Sequence, residues 1–403
     1  MIRTAFAAAL LASTTLVAAP ALADNHTIAA GEGAAERLQE ALILAEPGDT
    51  IVLEAGRYEL TEGLSLDVEG VTIHGAGMEG DTQSILDFTN QQGAGEGLLV
   101  TSDNVTLRDF AVENAKGDGI KSKGADNIIY HGLRIEWTAG PKASNGAYGI
   151  YPVESTNILV QESFVRGASD AGIYVGQSEN IIVRRNRVVE NVAGIEIENS
   201  NYAEVTENLT TKNTGGILVF DLPGLPKVGG GSVLVARNAI IDNNTDNFAP
   251  EGNIVASVPA GTGIMIMANT NVQVRENALF NNDTSHVMLV AYTQEYNDDR
   301  YQPRAVDVSI DGNVYSSGGS APDFPGGDML AAAVGGALPP ILVDGLQQGL
   351  TVSDEVPVLS LGLTKVGQPL TEASPAPWSQ ANELPSKRLA AVTLPDDMEA
   401  RLQ

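Results

Sequence analysis

The sequence predicts an all-β chain wound as a single-stranded, right-handed parallel β-helix of roughly 22-residue coils, and three observations predict it. The first is a column of Gly-Ile pairs at Gly119-Ile120, Gly149-Ile150, Gly172-Ile173, Gly194-Ile195, Gly216-Ile217 and Gly263-Ile264, with His286-Val287 in the next equivalent place. The second is a column at a fixed distance further along each unit, Phe110, Leu133, Ser163, Asn186, Asn208, Asn238, Asn277 and Asn313. The third is the set of short β-branched runs beside it, such as Ile158-Leu159-Val160, Ile181-Ile182-Val183 and Arg187-Val188-Val189. Each coil therefore holds three short strands. None buries its apolar side chains alone, but stacking equivalent strands into three parallel sheets buries every inward residue against the coils above and below.

The steps of the Gly-Ile column are 30, 23, 22, 22, 47 and 23 residues, so the long step holds a degenerate coil or long insertions around residues 221–261. The consecutive Asn residues of the second column fit a tight turn that needs a left-handed residue, where side-chain amides can bond from coil to coil. Upstream, Ala34 to Ala45 carries Leu38, Ala41, Leu42 and Ala45 on one helical face. That segment, followed by Pro47-Gly48-Asp49 and the strand Thr50 to Leu53, reads as a cap over the first coil. Capping hides an unpaired strand edge, and the chain is expected as a monomer. Met1-Ile2-Arg3, the apolar stretch Ala5–Ala19 and Ala21-Leu22-Ala23 read as a secretory leader over residues 1–23. Residues 24–320 form the capped solenoid. From 321 to 403 the periodicity fades and proline recurs (Pro369, Pro375, Pro377, Pro385, Pro395), so this extension is expected to fold back over the solenoid.

Composition narrows the function. There is no cysteine, so an exported chain of this size is held by its core and carries no disulfide or lipid-modified cysteine. The leader's apolar stretch is short for a membrane span, and residues 329–346 are interrupted by Gly335, Gly336, Pro339, Pro340 and Asp344, so no transmembrane segment is expected. A periplasmic or secreted protein is what remains. A net charge of −28 excludes nucleic acid and anionic membranes, which need clustered Lys and Arg. Neutral sugars, cations or a basic protein suit such a surface. A polyuronate needs a local basic patch or bound cations.

The stacked Gly-Ile units, the Asn column and the opening Leu38-Gln39-Glu40-Ala41 to Pro47-Gly48-Asp49-Thr50-Ile51-Val52-Leu53 resemble the pectate-lyase-like, right-handed β-helix repeat superfamily over about residues 33–315. Within it the chain is most similar to a family of exported parallel β-helix repeat proteins, some of them encoded beside a c-type-cytochrome-like protein. The resemblance implies a site on the outer face of the sheet that begins with Gly-Ile, in a groove walled by the loops preceding that strand. Two of those loops, Thr138–Ala147 and Asp242–Gly261, are lengthened.

With each Ile inward, period-two alternation places Lys121 and Lys123, Tyr151 and Val153, Tyr174 and Gly176, Glu196 and Glu198, Leu218 and Phe220, Met265 and Met267, and Met288 and Val290 outward. The first half of this face suits a sugar polymer. Tyr151 and Tyr174 offer rings for pyranose faces, Lys121 and Lys123 can neutralise a uronate, Glu198 can bind, and Tyr174 with Glu196 can move a proton. The bland alternative is an exposed tyrosine ladder with solvated charges. Glu196 and Glu198, about 6 to 7 Å apart along one strand, could form a glycosidase pair, or with Asp170 ligate Ca²⁺. The second half is apolar, and the loop 243–261 or the C-terminal segment with Leu330, Val334, Ile341, Leu342 and Val343 is expected to cover it; a partner surface is the alternative.

Departures from the enzymes of the superfamily bear on activity. Polygalacturonase-type relatives cluster aspartates here, and Gly117-Asp118-Gly119 keeps a fragment of that pattern. The outward positions hold no arginine of the metal-dependent pectate lyase kind, and the Asp-Pro-His-Asp string of alginate epimerases is absent. His26, His74, His131 and His286 are dispersed, so no zinc or copper site is expected, and no phosphate loop implies a cofactor. Two functions stay open: a carbohydrate-interacting β-helix, as a binder or a lyase- or epimerase-like enzyme, and a non-catalytic scaffold for another exported protein.

Overall fold

The computed structural model describes residues 23–93, 95–379 and 387–402. Apart from Ala23, the leader expected over residues 1–23 lies outside them. Among the described residues three sheets run the length of the stack, with twelve strands in sheet I, twelve in sheet II and ten in sheet III, each strand hydrogen-bonded to its counterpart one coil away. One coil illustrates the order: Ala171–Gly176 lies in sheet I, Glu179–Arg184 in sheet II and Arg187–Val189 in sheet III. Every pairing inside the stack is parallel; the short strand Ala376–Pro377 closes one end antiparallel to Val358–Ser360. Ile120, Ile150, Ile173, Ile195, Ile217 and Ile264 are fully buried in one continuous core. Glycine precedes each of them because backbones crowd there: a Cβ on Gly194 would lie 2.4 Å from the Gly216 carbonyl oxygen.

The asparagine column works as a ladder, but the left-handed residue is the one before each asparagine: Arg185, Glu207, Arg237 and Glu276 have φ of 55°, 59°, 56° and 56°. Each Asn faces inward instead. Asn208 Nδ2 donates to Asn238 Oδ1 at 3.0 Å and to the Val183 carbonyl at 2.9 Å, while its own Oδ1 accepts from the backbone N and Nδ2 of Asn186, both at 3.0 Å. These bonds hold four non-glycine residues in a backbone region they otherwise avoid. A parallel ladder, Asn191–Asn213–Asn243–Asn282, runs five residues further on and ends at His286, whose Nδ1 is 3.1 Å from Asn282 Nδ2 and whose Nε2 is 3.1 Å from the Ser316 carbonyl. The histidine in the glycine column is thus a ladder terminus.

The cap helix spans Ala34–Leu44 with Ala34, Leu38 and Leu42 buried. A strand the sequence reading did not anticipate, Asn25–Ile28, pairs with Thr50–Leu53 beside it. The long step of the Gly-Ile column is one coil, Gly215–Ile241, with insertions at 221–230 and 242–261. Parallel pairing does not stop at residue 320: Ile341–Val343 and Val358–Ser360 extend sheet I, and Thr351–Val352 extends sheet II. The loops between these strands, some longer than a whole strand triplet, hide the period. Residues 387–402 do fold back, laying Leu394 and Met398 on Ile129, Leu159 and Ile182 of sheet II. Among the described residues no helix is long and apolar enough to cross a membrane.

Candidate functional site

Register fixes the outer face of sheet I. Lys121 pairs with Tyr151, Tyr174 with Glu196, Glu196 with Leu218, Leu218 with Met265 and Met265 with Met288. Beside this column run Gly176, Glu198, Phe220, Met267 and Val290. The outward side chains are in the places alternation gives them, yet much of this face is not open to water. Glu196 is 1% exposed, Tyr174 5% and Glu198 7%, because the insertion 242–261 and the loops around Leu222, Tyr292 and Tyr301 lie against it.

Tyr151 and Tyr174 meet edge to face rather than stacking, at 89° and 4.8 Å between centroids. A third ring completes the group: Tyr148 lies 4.5 Å from Tyr151 and 4.7 Å from Tyr174. It escaped the sequence reading because it precedes the glycine of its Gly-Ile pair. Tyr174 lies along its own strand over Gly176, where an added Cβ would sit 2.3 Å from the phenol oxygen. That glycine lets the hydroxyl lean toward the neighbouring coil, where it lies beside the Glu198 carboxyl. Tyr148 Oη and Asn253 Nδ2 both donate to Asp170 Oδ2, at 3.4 Å each, so the long insertion touches the same carboxyl group as the tyrosine.

Burial sets the protonation states. It pushes Asp170 and Glu198 up to about 7, Asp118 up to about 6, and Glu196 well above the usual carboxylate range, with the neighbouring carboxylates adding to the last. Glu196 Oε1 and Asp170 Oδ1 are buried with no hydrogen-bond partner among the described residues. Burial and the nearby acids push the phenols of Tyr148 and Tyr174 far up, and Tyr151 to about 12, so all three hold their O–H protons at neutral pH.

The lysines divide. Lys121 Nζ sits 4.6 Å from the centre of the Tyr151 ring, 3.2 Å from Glu96 and 3.6 Å from Asp118, which places it at the rim of the cluster with its charge already shared. Lys123 turns away to Glu154 at 3.8 Å and stays exposed, outside the cluster. Asp118, read from the sequence as part of a motif fragment, joins through Lys121. Among the described residues no group of three or more His, Asp or Glu side chains could hold a metal ion. In the apolar half, Val255 and Val258 of the insertion pack on Leu218, and Leu330, Leu342, Leu361 and Leu363 pack near Met288; Ile341 and Val343 point into the solenoid core instead, because they alternate with Leu342 along a strand of sheet I, and Val334 stays exposed. Between them a cleft of about 560 Å³ stays open.

A coil-by-coil stack of three parallel sheets, with a buried acid and tyrosine cluster on the outside of one of them, defines a β-helix protein with a candidate site on one sheet face. The chain has the right-handed parallel β-helix fold, and a family model described as "Right handed beta helix region" matches residues 69–224. No curated protein sequence matches the chain. Among solved structures it is similar to the A-module of mannuronan C-5 epimerase AlgE4 from Azotobacter vinelandii, at 13% identity and a TM-score of 0.53, covering 82% of this chain and 95% of that one. It is also similar to the DFA-IIIase of Arthrobacter chlorophenolicus A6, at 13% identity and a TM-score of 0.51, covering 81% and 94%. Endopolygalacturonase I from Stereum purpureum follows at 13% identity and a TM-score of 0.43, covering 82% and 91%. At these identities the likeness is one of fold.

Proposed function

We propose that the chain is an exported carbohydrate-active protein that performs acid–base chemistry on a sugar polymer bound along the outer face of sheet I. The observation that carries the reading is the group of Asp170, Glu196 and Glu198 buried beneath Tyr148, Tyr151 and Tyr174. Solved proteins of similar fold that act on carbohydrates lend support. Tyr148 and Tyr151 keep part of their rings exposed to meet a sugar, and carboxyls that are largely neutral below pH 7 repel a uronate less than the net charge suggests.

The protonation states divide the labour between residues. Tyrosines that keep their protons serve as donors, so the proton acceptor has to be a carboxylate. Glu198, poised at about 7 beside Tyr174, is the group that can change charge near neutrality. Glu196, held neutral by burial, is suited to donate. A base that removes the proton beside a uronate carboxyl and an acid that returns one to the sugar, or to the departing glycosidic oxygen, give epimerisation or elimination respectively. Lys121 at the rim is the cation nearest an incoming acidic sugar, and Asn253 on the long insertion places that loop over the bound chain.

A panel of neutral and uronic polysaccharides, read by thermal shift, by ultraviolet absorbance for unsaturated products and by proton NMR for inverted residues, tests this. A shift with turnover that rises through pH 7 is expected, with Glu198→Gln keeping the shift and losing at least a hundredfold in turnover. Unchanged melting across the whole panel would refute the reading and leave the scaffold for another exported protein in its place.

A further inference from the structure

The cleft beyond the acid cluster is a second site with its own chemistry. It follows sheet I from the strand Gly215–Phe220 through Thr262–Met267, Ser285–Val290 and Ile341–Val343 to Val358–Ser360. Four inter-strand steps make it about 19 Å long, and a volume of about 560 Å³ over that length is a slot roughly one chain wide. The volume falls within the usual range of small-ligand sites, and the shape favours a linear ligand over a compact ring system.

Its floor is Phe220, Met265, Met267 and Met288, and its walls include Val258 from the long insertion and Leu363 from the C-terminal segment. Three unbranched thioether side chains along one floor adapt to a flexible chain and discriminate little among its conformers. Among the described residues no lysine or arginine lines the cleft, and the one acid that does, Asp344, is spent on the backbone N–H groups of Ala291 and Leu346. In a protein with a net charge of −28, a fatty carboxylate, a sulfate or a phosphate head would meet repulsion and no counter-charge. The neutral amide of Gln294 at the lining offers a hydrogen bond to an uncharged head, whereas that of Gln368 is already held by Thr364 and the Glu372 carbonyl.

We infer that this cleft binds the single alkyl chain of an amphiphile with an uncharged head group. The site depends on side chains other than those of the acid cluster, so it stands or falls separately from the polysaccharide chemistry.

The probe is N-phenyl-1-naphthylamine, a neutral apolar fluorophore, displaced from the full chain by dodecyl maltoside, octyl maltoside, maltose or dodecyl sulfate, each below its micelle-forming concentration. Each added methylene is expected to tighten binding about fourfold, so dodecyl maltoside should compete about two orders of magnitude better than octyl maltoside. Maltose should not compete, and dodecyl sulfate should compete at least tenfold less well than dodecyl maltoside. Met267→Lys should weaken probe and dodecyl maltoside at least tenfold with an unchanged circular dichroism spectrum; if that variant does not fold, Leu363→Gln is read in the same way. Absence of probe binding, competition independent of chain length, equal competition by dodecyl sulfate, or folded variants that bind like the parent would each overturn the inference. The polysaccharide panel is scored separately, so failure of one site does not mask the state of the other.

Discussion

Replacing Glu198 by glutamine removes one titrating group from the buried cluster and keeps its shape. In the folded chain burial pushes this carboxyl from 4.5 up to about 7. The native state therefore holds a proton that the unfolded chain has already released. The stability this contributes is complete below about pH 4.5 and is lost as the pH climbs through 7. A gap of about 2.5 pH units, at about 1.4 kcal/mol per unit, makes the loss about 3 kcal/mol. Unfolding entropy of about 2 cal/mol/K per residue over the roughly 380 residues after Ala23 converts this to about 4 °C. Melting temperatures of parent and Glu198→Gln, followed at one scan rate from pH 4.5 to 8.5, should coincide at the acid end and diverge toward the alkaline end, with the variant about 4 °C higher. Parallel profiles would mean that the carboxyl is solvated and already ionised at pH 5, and the argument for a poised base would fall with it.

The ladder and the returning C-terminal segment give two further tests. Asn208→Ala strips partners from Asn186, Asn238 and the Val183 carbonyl at once, all of them buried, and should cost about 3 to 5 kcal/mol in urea unfolding; a loss below 1 kcal/mol would show that the amide ladder is dispensable. Deleting residues 387–402 uncovers Ile129, Leu159 and Ile182 and removes Leu394 and Met398 from their seats, so it should cost about 3 to 6 kcal/mol and raise the fluorescence of added anilinonaphthalene sulfonate. A truncated chain with the parent's melting temperature and no added dye binding would contradict this.

How legible the molecule is from its sequence depends on how local the signal is. The Gly-Ile column is readable because two physical demands coincide in adjacent residues: close backbone approach and a branched apolar filler for the core. The second asparagine column is equally periodic, since Asn191, Asn213, Asn243 and Asn282 follow the first column at a constant offset of five residues, and it could have been found. The coils past residue 320 could not be found by spacing, because their strands are separated by irregular loops. At the site, alternation alone places Tyr174, Glu196 and Glu198 on the outer face. It does not reveal that Asn253, eighty-three residues from Asp170 in sequence, reaches over to touch it, or that Lys123 turns away to Glu154. Burial of the outer face is likewise a product of insertions whose destinations no local pattern encodes.

In most solenoids each coil senses only its neighbours, and the ends can fray while the middle holds. Here residues 387–402 cross eight strands of sheet II, from Arg388 on Asp311 at one end to Arg401 on the Asn104 and Asn127 carbonyls at the other. A latch of this kind couples early coils directly to late ones, so the stack it spans should open as one block instead of unravelling coil by coil. Assembly then has two phases: coils stack on one another, and the column is locked only when residues 387–402, which follow every coil they span, lie back along its side.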